Sequence, residues 1–348
     1  MNKRKKLKVA ITGATGMVGR KFAELLIDHP HYEIAMLVGF KSAGAILGRV
    51  WDEKEANLYT YYGQDFWRKS RCPEELRDRQ VQSFNALLED GTVDIVFSAI
   101  PPNAWHMERQ LLQAGLTVFS NSPYGRFDEE NPLVVAEVNS EDLGGRQFIK
   151  NPNCVTSGLA LILAPVRACY GLEAVSVVTF QSLTGKGDAK YPRDLVVGNI
   201  YPLRESDENV EEYITKEIRK ILKEEIPISV SCHRVYVQEG HFVDVKIKTS
   251  RRIKSEDDVA ELFRTFNPLG SLSLPSSPEA PLVVISEDGR PRPRQDSLHS
   301  KGMAVAVGGI STKDGVFNLR LRYVVNNLVR GAAGGAILNS ELVMQKRN

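Results

Sequence analysis

A single cysteine, Cys154, stands in the stretch KNPNCVTSGLALILAPV (residues 150–166), between an irregular Asn-Pro-Asn lead and a run of small and apolar residues with helical texture. A lone cysteine is most often a small buried hydrophobe. This one falls at or near a helix start, where the dipole and free amides stabilise a thiolate and can later hold an oxyanion. A thiolate placed there can attack a carbonyl carbon, and the adduct can exchange hydride with a nicotinamide. Such chemistry needs a proton carrier near neutral pH, which is histidine's range. Among His29, His31, His106, His233, His241 and His299, His241 is the best placed, because QEGH follows a glycine turn and precedes the strand-like FVDVKIK. Spacing alone leaves a purely structural histidine equally open.

A nicotinamide partner needs a binding loop, and GATGMVG supplies one with Gly13, Gly16 and Gly19. It follows the β-rich LKVAIT and leads into the helical FAELLIDHP. Glycines let the backbone approach a pyrophosphate, and the helix start offers N–H groups to it. The spacing is GxxGxxG, looser than GxGxxG, so an ordinary strand-to-helix turn stays possible. NAD-preferring folds carry an acidic residue about 20 residues further on. That window reads Val38, Gly39, Phe40, Lys41, Ser42, with no carboxylate. Lys41 and Ser42 suit the extra phosphate of NADP through charge and a hydroxyl donor, unless Lys41 is one more solvated charge.

The elements that must hold these residues follow from the pattern. Strands are expected at 32–40, 93–100 and 116–121, with a helix between the last two. Strand and helix alternating over the first 150 residues imply an α/β, Rossmann-type doubly wound parallel sheet. Beyond Leu172 the runs EAVSVVTFQSL, PISVSCHRVYV and HFVDVKIKT, separated by helical segments, imply an α+β domain with a largely antiparallel sheet. The Pro/Ser-rich SLSLPSSPEAP (271–281) reads as a surface loop.

Composition narrows the partners. A chain of 348 residues has room for two domains, and 45 basic against 43 acidic residues leave a net charge of +2. That balance points away from nucleic acid and towards a small-molecule partner. Cys72, Cys154, Cys169 and Cys232 are scattered, with no CxxC pair. The spacing argues against a zinc site and for a reducing, cytoplasmic setting. Threonine and glycine interrupt the apolar run after MNKRKK too early for a signal peptide, and no run approaches the roughly 18 apolar residues that span a bilayer.

Taken together, GATGMVG (13–19), SAG (42–44), DIVFSAIP (94–101), PLVVAEVN (132–139), NPNC (151–154), CHRVYVQEGH (232–241), RPRPRQD (290–296) and VRGAAGGAIL (329–338) resemble the aspartate-semialdehyde dehydrogenase family, especially its archaeal and fungal branch. The resemblance runs along nearly the whole chain. It implies a discontinuous NADP-binding domain (1–153 and 326–348) around a catalytic and dimerisation domain (154–325). It further implies NADPH-dependent reductive dephosphorylation of β-aspartyl phosphate to aspartate semialdehyde, and assembly as a homodimer or homotetramer.

In that family Cys154 is the nucleophile, His241 the acid/base catalyst, and Gln181 the residue that positions substrate and thioester. Arg234 pairs with the substrate carboxylate and Arg126 with the phosphate. Asn153 flanks the thiol, and Glu217 and Lys220 contact the substrate amine and phosphate. The cofactor is met by Gly13, Thr15, Gly16, Met17, Val18, Gly19, Lys41, Ser42, Ser98, Gly185 and Asn327. An arginine fork suits a carboxylate in two parallel hydrogen bonds, and an i, i+3 pair shares one helix face. One departure concerns the loop after Gln181, where Lys186 replaces a small residue and Asp188-Ala189-Lys190 replaces a more apolar stretch. SNSPYGRFD, FQSLTG and CHRV also resemble the archaeal malonyl-CoA reductases, so acyl-CoA reduction is the alternative activity. A paralogue acting on a modified acyl substrate and a non-catalytic NADPH-binding protein are the remaining alternatives.

Overall fold

The structure, a computed structural model, describes residues 5–187, 190–203, 210–313 and 315–347. The apolar and β-branched runs of the first 150 residues form β1 (Leu7–Thr12), β2 (Tyr32–Val38), β3 (Ile95–Ser98), β4 (Thr117–Ser120) and β5 (Phe148–Lys150). They pair in the order β2-β1-β3-β4-β5, all parallel. All residues of β3 and β4 are buried, as a sheet covered on both faces requires. The strand order reverses between β1 and β3, so the crevice beyond their carboxyl ends is the switch point at which open α/β sheets bind ligands. GATGMVG lies there, between β1 and helix α1 (Met17–Leu26). Gly13 has φ of +70°, and a Cβ on it would stand 2.4 Å from the Ala99 carbonyl oxygen. Only glycine lets the loop lie this close to the end of β3.

Helix α2 (Leu47–Tyr62), an element not anticipated from the pattern, follows β2. The second sheet contains β6 (Ala174–Gln181), β7 (Tyr201–Pro202), β8 (Ile228–Arg234), β9 (His241–Lys248), β10 (Leu282–Ile285), β11 (Val305–Ser311) and β12 (Leu319–Val325). Its order is β10-β11-β12-β9-β6-β8-β7. Two pairs, β10 with β11 and β6 with β8, are parallel, and the other four are antiparallel. Burial alternates along β6 and β9, so one face is sealed and the other is only partly covered. The sealed face packs in one core with helices α3 (Cys154–Tyr170), α4 (Val210–Leu222) and α5 (Glu256–Thr265). Helix α3 is mostly apolar and is buried without a break from Val155 to Leu163.

After β12 the chain returns to the first sheet. Val329–Ala333 form one π-helical turn that leads into α6 (Gly334–Arg347). Ala336, Ile337, Leu338, Leu342 and Val343 of α6 share a core with Val9, Phe22 and Phe97. The two sheets are thus joined by two chain crossings, at 151–153 and 326–328, and these lie close together: Asn151 Nδ2 donates to the Ala332 carbonyl at 2.8 Å. Among the described residues, no helix is long and apolar enough to cross a membrane.

Candidate active site

Strand register gathers one site at one end of the central strands of the second sheet. β6 and β8 run parallel, with their last residues, Gln181 and Arg234, side by side. β9 runs the opposite way, so its first residue, His241, falls at the same end, paired with Val325 at the end of β12. Helix α3 starts there with Cys154, and Asn153 caps it by accepting the Val155 N–H at 2.9 Å. The result is a close pair: Cys154 Sγ lies 3.0 Å from His241 Nε2. On its other side His241 Nδ1 faces the Ser182 main-chain N–H at 3.0 Å and the Ser182 hydroxyl at 3.1 Å.

Burial governs the protonation of both partners. It pushes the Cys154 thiol up to about 11, against the pull of Arg234 and Arg126 in the other direction. It holds His241 well below the usual histidine range, and the Arg234 charge adds to that effect. Desolvation thus opposes the thiolate that the helix start favours. A raised thiol pKa leaves little thiolate at neutral pH, and more forms as pH rises. Carbamidomethylation of Cys154, followed on its own peptide by mass spectrometry, should therefore accelerate about tenfold per pH unit from pH 7 to 10. A rate already flat by pH 7 would mean that a thiolate–imidazolium pair exists in the resting protein.

Two arginines flank the pair. Arg234 is buried, donates from Nη1 to the Ser182 carbonyl at 2.7 Å and lies over the Tyr191 ring. Gly185 backs onto both Arg234 and His241: a Cβ there would stand 2.6 Å from Arg234 Nη1 and 3.0 Å from His241 Cε1. Arg126 is also buried, donating to Glu217 Oε1 at 2.8 Å and to the Asn121 carbonyl at 2.7 Å. Its Nε and the neighbouring Asn121 Nδ2 are buried donors without a hydrogen-bond partner. Unmet donors of this kind are costly and suit an anionic ligand. Asn121 was not singled out from the sequence; its position after β4, at the carboxyl edge of the first sheet, was the available signal.

Glu217 and Lys220 share a face of α4 as their spacing implied, but the structure gives both to the protein first. Glu217 is fully buried between Arg126 and the Asn153 main-chain N–H, which it accepts at 2.7 Å. Lys220 donates to three carbonyls of one loop, Arg126 at 2.9 Å, Asp128 at 2.6 Å and Asn131 at 2.8 Å. An ammonium has three donors, so the phosphate contact expected of Lys220 would require it to leave a carbonyl. Gln181 is buried, and its amide donates to Thr179 Oγ1 at 3.2 Å. Lys186 lies over the Tyr191 ring, with its ammonium 4.8 Å from the centroid. Asp188 and Ala189 fall outside the described residues.

The glycine loop fits a dinucleotide. Helix α1 begins at Met17 after Gly16, with no side-chain cap and no acidic residue in its first turn. The N–H groups of Met17, Val18 and Gly19 thus lack intrahelical partners and meet no competing carboxylate. Thr15 and Ser42 join their hydroxyls at 3.0 Å, which draws the turn after β2 onto this loop, while Lys41 is exposed in that turn. Ser98 is turned inward, accepting the Thr12 hydroxyl at 3.2 Å. Asn327, expected near the nicotinamide, spends its amide within the protein: Oδ1 accepts from Ser182 Oγ and the Gly240 N–H, and Nδ2 donates to Thr184 Oγ1. It fastens the residue that holds His241.

A parallel sheet with a dinucleotide loop at its switch point, joined to a second sheet with a cysteine–histidine pair at one end, defines a two-domain nicotinamide-dependent oxidoreductase. The chain belongs to the semialdehyde dehydrogenase family. The model for "Semialdehyde dehydrogenase, NAD binding domain" matches residues 8–145, and that for "Semialdehyde dehydrogenase, dimerisation domain" matches 163–330. An aspartate-semialdehyde dehydrogenase of Archaeoglobus fulgidus is 35% identical, over 97% of this chain and 98% of the relative. A malonyl CoA reductase (NADP) of Metallosphaera sedula is 30% identical, over 99% and 98%. The crystal structure of aspartate semialdehyde dehydrogenase with NADP from Candida albicans matches with a TM-score of 0.82 and 27% identity, covering 99% of both chains.

Proposed function

We propose that the chain reduces β-aspartyl phosphate to aspartate semialdehyde and phosphate, reversibly, with NADPH, through a thioester on Cys154. The observation that carries this reading is the 3.0 Å contact between Cys154 Sγ and His241 Nε2 at the start of α3, between two buried arginines. Arg234 receives the substrate carboxylate, and Arg126 with Asn121 receives the phosphate, whose charge their unmet donors suit. Cys154 displaces the phosphate and becomes acylated, and the Cys154 main-chain N–H at the start of α3 faces the acyl oxygen. NADPH, when bound, supplies the hydride. His241 then relays a proton from solvent to the sulfur as the hemithioacetal collapses, while Gln181 and Asn153 border the acyl group. Met17, Val18 and Gly19 hold the pyrophosphate, and Lys41 with Ser42 faces the 2′-phosphate.

The similarity to the reductase of Metallosphaera sedula, together with Lys186 beside Arg234 on Tyr191, supports acyl-CoA reduction as the second reading. Side-by-side assays by nicotinamide absorbance separate the two. Aspartate semialdehyde with phosphate and NADP is expected to give the faster turnover. Turnover of malonyl-CoA with NADPH alone would overturn the first reading. The partly covered face of the second sheet, with Val178, Phe180 and Phe242 beside Asp244, Arg320 and Arg322, supports assembly as a homodimer or homotetramer. The four free cysteines support a cytoplasmic location.

A further inference from the structure

Three asparagines form a chain of side-chain amides whose polarity is fixed from its ends. Asn151 follows β5, and Pro152 after it disfavours helical backbone, so the strand line runs on for one more residue and the Asn151 N–H donates to the Ser120 carbonyl at 2.9 Å. Its side chain is buried, with Nδ2 2.8 Å from the Ala332 carbonyl in the π-helical turn. A carbonyl only accepts, so the Asn151 atom facing it has to be the nitrogen. Asn339 of α6 agrees from the other side: its Nδ2 donates to the Val134 carbonyl at 3.1 Å and to Asn151 Oδ1 at 2.9 Å. The same Asn151 nitrogen lies 3.1 Å from the Asn121 side chain, so Asn121 has to present its oxygen there. Asn121 Nδ2 is thereby turned away from Asn151, and it is buried without a hydrogen-bond partner, as is Arg126 Nε.

We infer that Asn151 is a positioning residue for the phosphate site: it holds the Asn121 carboxamide with the NH₂ end free to receive the anion that Arg126 binds. This rests on the acyl-phosphate reading for the identity of that anion. Asn151 itself does not touch the phosphate, because both hydrogens of its Nδ2 are committed, one to Ala332 and one to Asn121. Turning Asn121 over would set two NH₂ groups against each other and bring an oxygen towards the anion. The Asn121 main chain is fixed as well, its N–H donating to the Ser98 carbonyl at 3.0 Å and its own carbonyl accepting from Arg126 Nη2 at 2.7 Å. An amide held in this way has no freedom left to lose when the anion arrives. The polarity originates at Ala332, so the second chain crossing orients a donor that belongs to the first sheet.

The test is calorimetric titration of the full ligand-free chain with inorganic phosphate, on the wild type, Asn151→Ala, Asn121→Ala and the double variant. Each single substitution is expected to weaken phosphate about tenfold, and the double variant to stay within about threefold of either, because Asn151 acts through Asn121. Wild-type affinity in Asn151→Ala, or a double loss equal to the product of the single losses, would overturn the inference. Asn139→Ala is the control: it removes a buried amide that is likewise bonded through both its oxygen and its nitrogen. Phosphate affinity there is expected within about threefold of the wild type, and a loss as large as that of Asn151→Ala would reduce the effect to general loosening. If Asn151→Ala does not fold, Asn151→Ser, whose single hydroxyl proton cannot serve both acceptors, takes its place with the same expectations. The titration needs no acyl substrate. A wild type that takes up no phosphate sinks the inference, whereas one that binds phosphate with this pattern yet does not turn over aspartate semialdehyde with NADP sinks the functional reading and leaves the role of Asn151 standing.

Discussion

Replacing Cys154 by alanine is expected to lower turnover by at least about 10⁴-fold while leaving NADPH binding intact. In the proposed mechanism the sulfur carries the acyl group, and the other cysteines lie elsewhere: Cys232 is buried in the core beneath the second sheet, Cys72 is buried in the core of the first, and Cys169 is exposed near the end of α3. The dinucleotide loop is built from residues 13–19 against β3, so it does not depend on the thiol. Steady-state kinetics on the variant, beside a titration of NADPH fluorescence, separates the two properties. Normal turnover would rule out the covalent route, whereas loss of both would show that the thiol region shapes the cofactor site as well.

The second large effect is expected at a residue with no functional group. Gly331 lies in the π-helical turn directly behind Cys154, and a Cβ on it would stand 2.5 Å from Cys154 Cβ and 2.8 Å from Cys154 Cα. Neither atom belongs to a flexible chain end, so Gly331→Ala has to displace the start of α3 or the turn. A shift of the thiol by about 1 Å is expected to cut kcat about 100-fold. The accompanying overpacking should cost about 1–3 kcal/mol of stability, which a thermal midpoint reports. Gly315→Ala is the control, since a Cβ there meets nothing within 4 Å. A Gly331→Ala enzyme with kcat within about threefold of the wild type would show that the thiol tolerates being pushed.

The pairing of Cys154 with His241 was legible because each is marked by local chemistry: an Asn-Pro-Asn helix start for one, and a glycine turn before an alternating strand for the other. Strands with unbroken β-branched runs, such as LKVAIT and HFVDVKIK, were legible for the same reason. β11 was not, because Gly308 and Gly309 interrupt VAVGGIS. Ser182, Asn121 and Gly331 act through contacts that arise only when distant segments meet at one end of a sheet, and their types are common in turns and helices that do nothing. The i, i+3 spacing of Glu217 and Lys220 correctly put them on one face. Which carbonyls Lys220 meets depends on a loop 90 or so residues earlier in the chain, and helical periodicity carries no information about that.

The two chain crossings bear on how the enzyme can move. Both pass beside the thiol, one ending at Asn153 and the other leading into the turn that contains Gly331. Two nearby covalent tethers define a line about which the sheets would swivel, with Leu269, Leu274 and Met303 packed into the first core as a further tie. A swivel about that line would move the sulfur least, because it sits beside both crossings, and an opening at the far end of the cleft would leave the Cys154–His241 pair in place.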